Sequence, residues 1–397
     1  MQPVELAPKV HWVGALDPQI RIFDVIMHAP RGTTYNAYLI QGEEKTALVD
    51  LSKPAFQQNL IDNVSRIVDP AEIDYLVLNH TEPDHSGCLD CFLKEATRAK
   101  VVCSKNAKRF VEALVNHDVC PMLMEGDDEI DLGGRKLRFV SAPFLHWPDT
   151  MFTYLEPDGI LLPCDFLGAH YCDDRLFNDL VADYSREFKY YFDVIMRPFK
   201  PYVLQALDKI AGLDLKMIGP SHGPILREDI GSYIDKYRAW ASVPVRGDEK
   251  HLVVFYASSY GNTAQMAEGI ALGAQEAGMK ASLLDLSAVD AGQVVDQIEA
   301  ADAIAVGSLT INGDAVKPVW DLLSSLATLN LRGKIAAAFG SYAWSGEAPK
   351  LIGQRLADLK MKLIGDPLRV NFTPTAEDLT TCRELGRQIA EAVKAGH

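Results

Sequence analysis

The feature that most constrains this fold is a regular alternation of strand-length apolar runs and helical segments that begins at His251. The run HLVVFYAS (251–258) is followed by NTAQMAEGIALGAQEAG (262–278), which has a helical period and Thr263 near its start. Further strand-like runs are ASLLDL (281–286), DAIAVGS (302–308), KIAAAFGS (334–341) and MKLIGDPLRV (361–370). Strands that alternate with helices form βαβ units, so we predict an α/β domain with a doubly wound parallel sheet.

The first 240 residues have a different rhythm, with many short β segments and fewer helices. The early strand-like runs are VHWVGAL (10–16), TTYNAYLIQG (33–42), KTALVDL (45–51) and IDYLVLNH (73–80). A helical stretch, AKRFVEALVNH (107–117), separates later strands, which predicts sheets flanked by helices. Because 397 residues exceed one ordinary core and segment 241–250 is linker-like, we predict domains at 1–248 and 249–397.

Composition narrows the class of protein. A net charge of −15 argues against a nucleic-acid partner, which would require a basic surface. The sequence has no apolar run of 18 residues and does not start like a signal peptide, so we expect no membrane partner. Its seven scattered cysteines suit a reducing compartment better than a disulfide framework. We therefore expect a soluble cytoplasmic protein.

The stretch LVLNHTEPDHSG (76–87) concentrates ligand-type side chains at the end of an apolar strand. His80, Glu82 and Asp84 alternate, and His85 follows directly. In an extended segment, alternate residues point to one side, so we expect the first three to converge and His85 to face a neighbouring position. Taken alone, the four residues also fit a polar surface loop.

Three later strands also end in ligand-type residues, namely His146, Asp165 and His222. Strand ends are where loops from several strands can meet, so these side chains favour a common site. Together the seven residues can serve two cations with one bridging carboxylate. Nitrogen and oxygen ligands suit hydrolytic zinc or redox-active iron or manganese, and Glu82 shifts the balance modestly toward iron.

The C-terminal half contains a candidate anion cradle after its first strand. The turn before the helix offers hydroxyls and backbone N–H groups through Ser258, Ser259, Tyr260, Gly261, Asn262 and Thr263. The turn lacks a P-loop lysine and a G-x-G-x-x-G pattern, which disfavours a nucleoside triphosphate or a dinucleotide. A serine-rich and glycine-rich turn without a ligand is the alternative.

Two more loops follow parallel strands and would meet the same sheet edge. One supplies Ser308, Thr310 and Asn312, and the other supplies Ser341, Tyr342, Ala343, Trp344, Ser345 and Gly346. An aromatic side chain there can stack on a flat ring system. Packing of Trp344 beneath its loop is the alternative interpretation.

These motifs together resemble the flavodiiron proteins, or A-type flavoproteins, over essentially the whole chain. The resemblance implies an N-terminal metallo-β-lactamase-like αββα domain and a C-terminal flavodoxin-like domain that binds FMN. Glu82 stands where the hydrolases of that fold have a second histidine. Carried over by position, one iron takes His80, Glu82 and His146, the other takes Asp84 and His222, and Asp165 bridges them.

The same resemblance gives His85 a pocket role. Trp147, Met151 and Tyr191 are pocket candidates from their place in the sequence or from the resemblance, with core packing as the alternative, and His170 is expected to be structural rather than part of the pocket lining. The sequence departs from the family pattern at Leu309, where proline is frequent, and at Ala343, where glycine is frequent.

The implied reaction is reduction of dioxygen to water, of nitric oxide to nitrous oxide, or both. The sequence shows no rubredoxin-type second C-x-x-C beside Cys88 and Cys91, which we interpret as small buried residues. Electrons would therefore come from a separate donor such as rubredoxin or a reduced deazaflavin. The resemblance also implies a head-to-tail homodimer or a dimer of dimers. A two-zinc hydrolase and an electron-transfer flavoprotein without working metals are the rival classes.

Overall fold

The protein was analysed as a computed structural model, which describes residues 1–242, 249–289 and 294–396. The chain divides into two compact units, Met1–Ser242 and Val243–His397. The predicted boundary near residue 248 lies outside the described residues and stays a prediction. No helix within the described ranges is long and apolar enough to cross a membrane.

The first unit is built from short strands with helices inserted between them. Its strands are β1 Val4–Ala7, β2 Val10–Trp12, β3 Ala15–Asp17, β4 Ile22–Phe23, β5 Met27–His28, β6 Thr33–Tyr35, β7 Tyr38–Gln41, β8 Thr46–Val49, β9 Tyr75–Leu78, β10 Lys100–Ser104, β11 Met122–Met124, β12 Glu129–Asp131, β13 Lys136–Ser141, β14 Met151–Glu156, β15 Ile160–Leu162 and β16 Met217–Ile218. Its helices are α1 Gln57–Ser65, α2 Pro83–Ser86, α3 Leu89–Glu95, α4 Lys108–Val115, α5 Ser185–Tyr191, α6 Lys200–Ile210 and α7 Ile230–Ala241. A π-helical turn, Phe192–Met196, continues α5, and 3-10 turns lie at Pro54–Phe56, Pro70–Glu72 and Arg197–Phe199.

Two sheets face each other in this unit. One has the order β1-β2-β7-β8-β9-β10-β11 and the other β12-β13-β14-β15-β16. Trp12, Tyr38 and Phe139 belong to the buried cluster that both sheets contribute to. The outer face of the first sheet packs on α1, α3 and α4, and that of the second packs on α6 and α7. This is the predicted αββα arrangement, because each sheet buries both of its faces.

The second unit is a doubly wound sheet, as predicted. Its strands are β17 His251–Tyr256, β18 Lys280–Asp285, β19 Ala303–Gly307, β20 Thr310–Ile311, β21 Asp314–Ala315, β22 Ile335–Tyr342, β23 Lys362–Leu363 and β24 Leu368–Asn371. Its helices are α8 Asn262–Glu276, α9 Val295–Ala300, α10 Lys317–Ser325, α11 Ala348–Asp358 and α12 Ala376–Lys394, with a 3-10 turn at Leu326–Thr328. The main sheet has the parallel order β18-β17-β19-β22-β23, and β24 also pairs with β22. Helices α8 and α12 cover one face, and α9, α10 and α11 cover the other.

One predicted strand is wrong in detail. The run 361–370 forms two short strands, β23 and β24, instead of one. Gly365 between them adopts a positive φ of 66°, and Pro367 follows. Proline cannot donate to a ladder and glycine permits the turn, so the strand breaks there and resumes along another part of β22.

Candidate dimetal centre and flavin loops

The ligand motif begins where β9 ends and changes conformation at Pro83. His80 and Glu82 lie in the extended part, whereas Pro83 occupies the first turn of α2 and places Asp84 and His85 on a helical turn. The expectation that His80, Glu82 and Asp84 converge on one point is therefore wrong. The helical turn directs Asp84 to a second position beside the first.

The first group of potential ligands consists of His80, Glu82, His146 and Asp165, whose ligand atoms lie within 4.8 Å of one another. The Oε2 atom of Glu82 is 3.2 Å from His80 Nε2 and 2.9 Å from His146 Nε2. The Oδ2 atom of Asp165 lies 3.7 Å from His80 Nε2 and 3.8 Å from His146 Nε2. One cation could thus reach two imidazoles and two carboxylates.

The second group consists of Asp84, His85 and His222. Asp84 Oδ2 is 3.0 Å from His222 Nε2, and Asp84 Oδ1 is 3.3 Å from His85 Nε2. The other oxygen of Asp165, Oδ1, faces this group at 3.2 Å from His85 Nε2 and 3.6 Å from His222 Nε2. The two oxygens of Asp165 therefore face different groups, which is the geometry that a bridging carboxylate requires.

The residues present fit a pair of metal ions. Three buried atoms of the second group make no hydrogen bond within the described part of the chain, namely Asp84 Oδ1, Asp84 Oδ2 and His85 Nε2. Buried polar atoms normally have partners, and buried charges are paired or bind metals. Burial opposes ionisation of Asp165, but the His85 and His80 imidazoles hold the pKa of that carboxyl well below its usual range. An ionised carboxylate between imidazoles is the state that a cation needs.

His85 is expected to face a neighbouring position and, by the resemblance, to have a pocket role. Its Nε2 points into the second group, beside the first. His85 is thus a candidate ligand in addition to a pocket residue. A contact at the other ring nitrogen orients His222, since its Nδ1 lies 2.6 Å from the carbonyl oxygen of Thr34.

The predicted pocket residues surround the two groups. Tyr191, at the end of α5, donates its hydroxyl to Asp165 Oδ1 at 2.8 Å. The Trp147 ring meets the His80 and His146 rings edge-on, with centroids 5.0 and 6.1 Å apart. His170 is buried with Nδ1 2.9 Å from Thr33 Oγ1, and its ring centroid is 5.1 Å from that of His222. His170 therefore packs against His222 and is not a member of either ligand group.

Two carboxylates near the site were missed in the sequence. Asp149 lies behind His80, and Asp24 lies on the turn between β4 and β5. Burial and the neighbouring Glu82 and Asp84 carboxylates raise the pKa of Asp24 to about 6. Neither residue follows a strand end in a recognisable motif, so nothing in the sequence marked them.

Cys88 and Cys91 are free thiols, as are the other five cysteines. Cys88 is buried and donates its thiol to the carbonyl oxygen of Ser52 at 2.8 Å, which is typical of a small buried residue. Cys91 is only partly buried, so the prediction of two buried cysteines is wrong for Cys91.

In the second unit, the three predicted loops follow β17, β19 and β22, which are neighbours in the parallel sheet. Their carboxyl ends therefore meet at one edge. Ser258, Ser259 and Tyr260 precede α8, and Gly261 has a φ of 84° at its N-cap. Thr263 is buried and its hydroxyl lies 2.8 Å from that of Ser341, which joins the first loop to the third.

The other loop residues include both structural and exposed groups. Ser308 donates to the carbonyl oxygen of Leu309 and accepts from the Val316 N–H, so it shapes its own loop. Thr310 has a buried hydroxyl without a partner among the described residues, and Asn312 has a positive φ of 53°. An unpaired buried hydroxyl at this edge fits a bound polar ligand.

The third loop, Ser341 to Gly346, carries its tryptophan into solvent. Trp344 is 84% exposed and Tyr260 is 92% exposed. The alternative that Trp344 packs beneath its own loop is therefore wrong.

The other residues of this loop make local contacts. The carbonyl oxygen of Ala343 accepts a hydrogen bond from the Asn371 side chain. Tyr342 lies close to Gly346, where a Cβ would come within 2.8 Å of the Tyr342 ring. Ser345 is half-buried.

The fold and the ligand groups define a class: a β-lactamase-type domain with two adjacent cation positions, joined to a flavodoxin-type domain. A family model described as ODP family beta lactamase matches residues 33–223, and the flavodoxin model matches residues 254–386. The type A flavoprotein of Rhodobacter capsulatus is 46% identical, over 98% of this chain and 91% of the relative. The nitric oxide reductase of Moorella thermoacetica is 39% identical, over 99% of each chain.

A solved structure, the rubredoxin oxygen:oxidoreductase of the anaerobe Desulfovibrio gigas, matches with a TM-score of 0.75 at 30% identity and covers 99% of both chains. The chain therefore belongs to the flavodiiron proteins, also called type A flavoproteins.

Proposed function

We propose that this protein is an oxidoreductase that reduces dioxygen to water, nitric oxide to nitrous oxide, or both, using FMN and two irons. The observation that carries this proposal is the division of the Asp165 oxygens between two ligand groups in a chain that also contains a flavodoxin domain. Its relatives include a nitric oxide reductase and an oxygen oxidoreductase. The biological role is detoxification of these gases.

His80, Glu82 and His146 would hold the first iron, Asp84 and His222 would hold the second, and the two oxygens of Asp165 would serve both. His85 is a further candidate ligand for the second iron, because its Nε2 faces Asp84 and Asp165. Bound iron supplies redox chemistry and sites for a diatomic substrate.

The residues around the ligands shape the pocket. The Tyr191 hydroxyl donates to Asp165, and the Trp147 ring packs edge-on against two imidazoles. Groups that are held in place before a reaction strengthen electrostatic interactions between the protein and a reacting molecule.

The sheet edge formed by the three loops of the second unit would hold FMN. The turn Ser258 to Thr263 at the N-terminus of α8 would bind the FMN phosphate, because the first N–H groups of a helix attract anions. Tyr260 and Trp344 are exposed aromatic rings suited to contact with the flat flavin. Thr310 and Asn312 offer polar groups from the neighbouring loop.

Electrons come from a separate donor such as rubredoxin or a reduced deazaflavin. The name of the Desulfovibrio gigas relative supports rubredoxin. A cytoplasmic location fits the seven free cysteines, because thiols persist in reducing compartments.

The working unit is a head-to-tail homodimer, or a dimer of dimers, in which flavin and irons of different chains face each other. Val25 and Ile26 are exposed at the turn beside Asp24, and Tyr260 and Trp344 are exposed at the flavin loops. Exposed apolar side chains beside a functional site are typical of surfaces that become buried in an assembly.

Metal analysis, flavin quantification and gas turnover test the proposal together. We expect about two irons and one FMN per chain, with reduction of dioxygen or nitric oxide by an artificial donor. Zinc with efficient hydrolysis of β-lactam, thioester or phosphodiester substrates would identify a hydrolase instead. Bound FMN without metals or gas reduction would identify an electron-transfer flavoprotein.

A further inference from the structure

Asp149 is a buried carboxylate that belongs to none of the ligand groups. It lies in the loop between β13 and β14, which also carries His146, and only 1% of it is exposed. Its Oδ2 accepts hydrogen bonds from Thr81 N at 2.8 Å and Thr81 Oγ1 at 2.6 Å. His80 Nδ1 is 3.2 Å from each of its two oxygens. Asp149 thus faces the ring nitrogen of His80 that points away from the metal position.

The contact between Asp149 and His80 determines which ring nitrogen of His80 is free to bind a cation. A carboxylate opposite Nδ1 keeps a proton on that nitrogen and leaves the Nε2 lone pair free for metal binding. His80 Nε2 is indeed the atom that faces Glu82 and Asp165. The two donors of Thr81 hold the Asp149 carboxylate, so the imidazole is oriented by a group that is itself fixed.

The loop that carries Asp149 is anchored at a third strand. Ser104, the last residue of β10, donates its hydroxyl to the carbonyl oxygen of Asp149 at 2.6 Å. Asn106 donates its side-chain amide to the carbonyl oxygen of Pro148 at 2.8 Å. The same anchored loop therefore carries the candidate ligand His146 and places Asp149 against Nδ1 of His80.

Within the described part of the chain, no comparable anion lies against the Nδ1 atom of His222. That atom faces a neutral acceptor, the carbonyl oxygen of Thr34, at 2.6 Å. An anionic partner raises the basicity of an imidazole ligand more than a neutral carbonyl does, because it stabilises the charge that the metal draws from the ring. The imidazoles of His80 and His222 are therefore supported unequally.

We propose that Asp149 is a positioning residue that orients and polarises His80, so that it strengthens metal binding selectively in the first group. The inference rests on the proposed function, since it takes iron as the metal. It adds a specific asymmetry: loss of the Asp149 charge weakens one iron and spares the other.

The test uses the full-length, FMN-loaded protein and the variant Asp149→Asn, which preserves shape and removes the charge. Anaerobic competition with a ferrous chelator should show one iron bound about 10- to 100-fold more weakly, with the other iron and FMN unchanged. Mössbauer spectra of iron-57-loaded protein should show one altered signal of two. Asp128→Asn is the matched control, because its exposed carboxylate accepts a hydrogen bond from the Glu125 N–H within its own turn.

Two further measurements separate positioning from folding. The melting temperature of the metal-free variant measures what the substitution costs the fold itself, and the stabilisation by added iron should shrink in addition to that cost. If Asp149→Asn does not fold, Thr81→Val removes one donor to the carboxylate and should weaken the same iron by a smaller factor.

The outcomes distinguish this inference from the proposed function. If the wild type binds two irons and both variants release them with wild-type affinity, or release both irons equally, Asp149 has no selective role and the inference is wrong. If the wild type itself binds no iron, the proposed function is wrong, and the inference falls with it.

Discussion

At the scale of single residues, Asp165 joins the two halves of the metal cluster. Its Oδ2 faces His80 and His146, while its Oδ1 faces His85 and His222. A bridging carboxylate holds two metals about 3.5–4 Å apart, at which distance both can contact one small molecule. The remaining ligands lie on one side or the other, so none can replace it.

Replacing Asp165 with alanine should therefore remove most of the iron and lower gas reduction more than about a hundredfold. FMN should remain bound, because the flavin loops belong to the other unit. Iron and flavin quantification on the same sample would measure both effects. Asp214→Ala, which removes an exposed carboxylate, is the control. An Asp165→Ala protein with two irons and full activity would refute the bridge.

Tyr191 allows a milder change at the same carboxylate. Tyr191→Phe keeps the buried ring and removes the 2.8 Å hydrogen bond to Asp165. A hydrogen bond to a charged group is worth about 1.5–3 kcal/mol, so we expect turnover to fall about tenfold or more while iron is retained. Tyr190→Phe is the control, since its hydroxyl accepts a hydrogen bond from the His28 N–H and not from a residue of either ligand group. Equal turnover in the two variants would argue against a role for Tyr191.

At the scale of secondary-structure elements, strands and helices were predicted more successfully than the contacts between them. The strand ends before His80, His146, Asp165 and His222 follow from apolar runs bounded by turns. The division of the motif between two ligand groups does not follow from such a pattern, because Pro83 starts a helix within a segment that was interpreted as extended. The contact between Asp149 and His80 joins residues 69 positions apart and depends on how two loops meet, which no local pattern encodes.

The crossing of α8 and α12 is another contact of this kind. A Cβ at Gly386 would lie 2.0 Å from the carbonyl oxygen of Ile270, and one at Gly273 would lie 1.9 Å from that of Arg383. Both distances are far below van der Waals contact. The two helices can approach this closely only because each carries a glycine at the crossing.

Gly386→Ala should therefore destabilise the flavin unit by about 1–3 kcal/mol, the usual cost of overpacking. Thermal release of FMN, followed by flavin fluorescence, would measure this as a lower melting temperature. Gly231→Ala in α7 is the control, because nothing lies within 4 Å of its added Cβ. Alanine favours a helix over glycine, so this variant should be neutral or slightly stabilised. An unshifted transition for Gly386→Ala would disprove the tight crossing.

At the scale of the whole molecule, the two cofactors belong to separate compact units of the chain. A two-fold pairing of chains would place each flavin unit against the metal unit of its partner. The exposed side chains of Val25, Ile26, Tyr260 and Trp344 provide apolar surface for such a contact. Electron flow would then depend on both chains of the dimer.

Subunit exchange tests this pairing. One variant loses FMN through substitutions at Asn262 and Thr263, and another loses iron through His80→Ala, so each should be inactive alone. A mixed dimer should recover activity, because the intact flavin of one chain meets the intact irons of the other. Mixed dimers that form, as native mass spectrometry would show, but stay inactive would place electron transfer within one chain.

The central claim is that electrons pass from FMN to gas only when the metal cluster is loaded. Rapid anaerobic mixing of the FMN-reduced protein with nitric oxide measures this directly, through the return of oxidised-flavin absorbance. In this reaction, two molecules of nitric oxide and one FMNH2 give one molecule each of nitrous oxide, water and FMN. With two irons we predict fast flavin reoxidation by nitric oxide, with release of nitrous oxide, or by dioxygen; with nitric oxide we predict neither reoxidation nor nitrous oxide in iron-free protein. Equal reoxidation rates with and without iron, or none with both nitric oxide and dioxygen, would contradict the account.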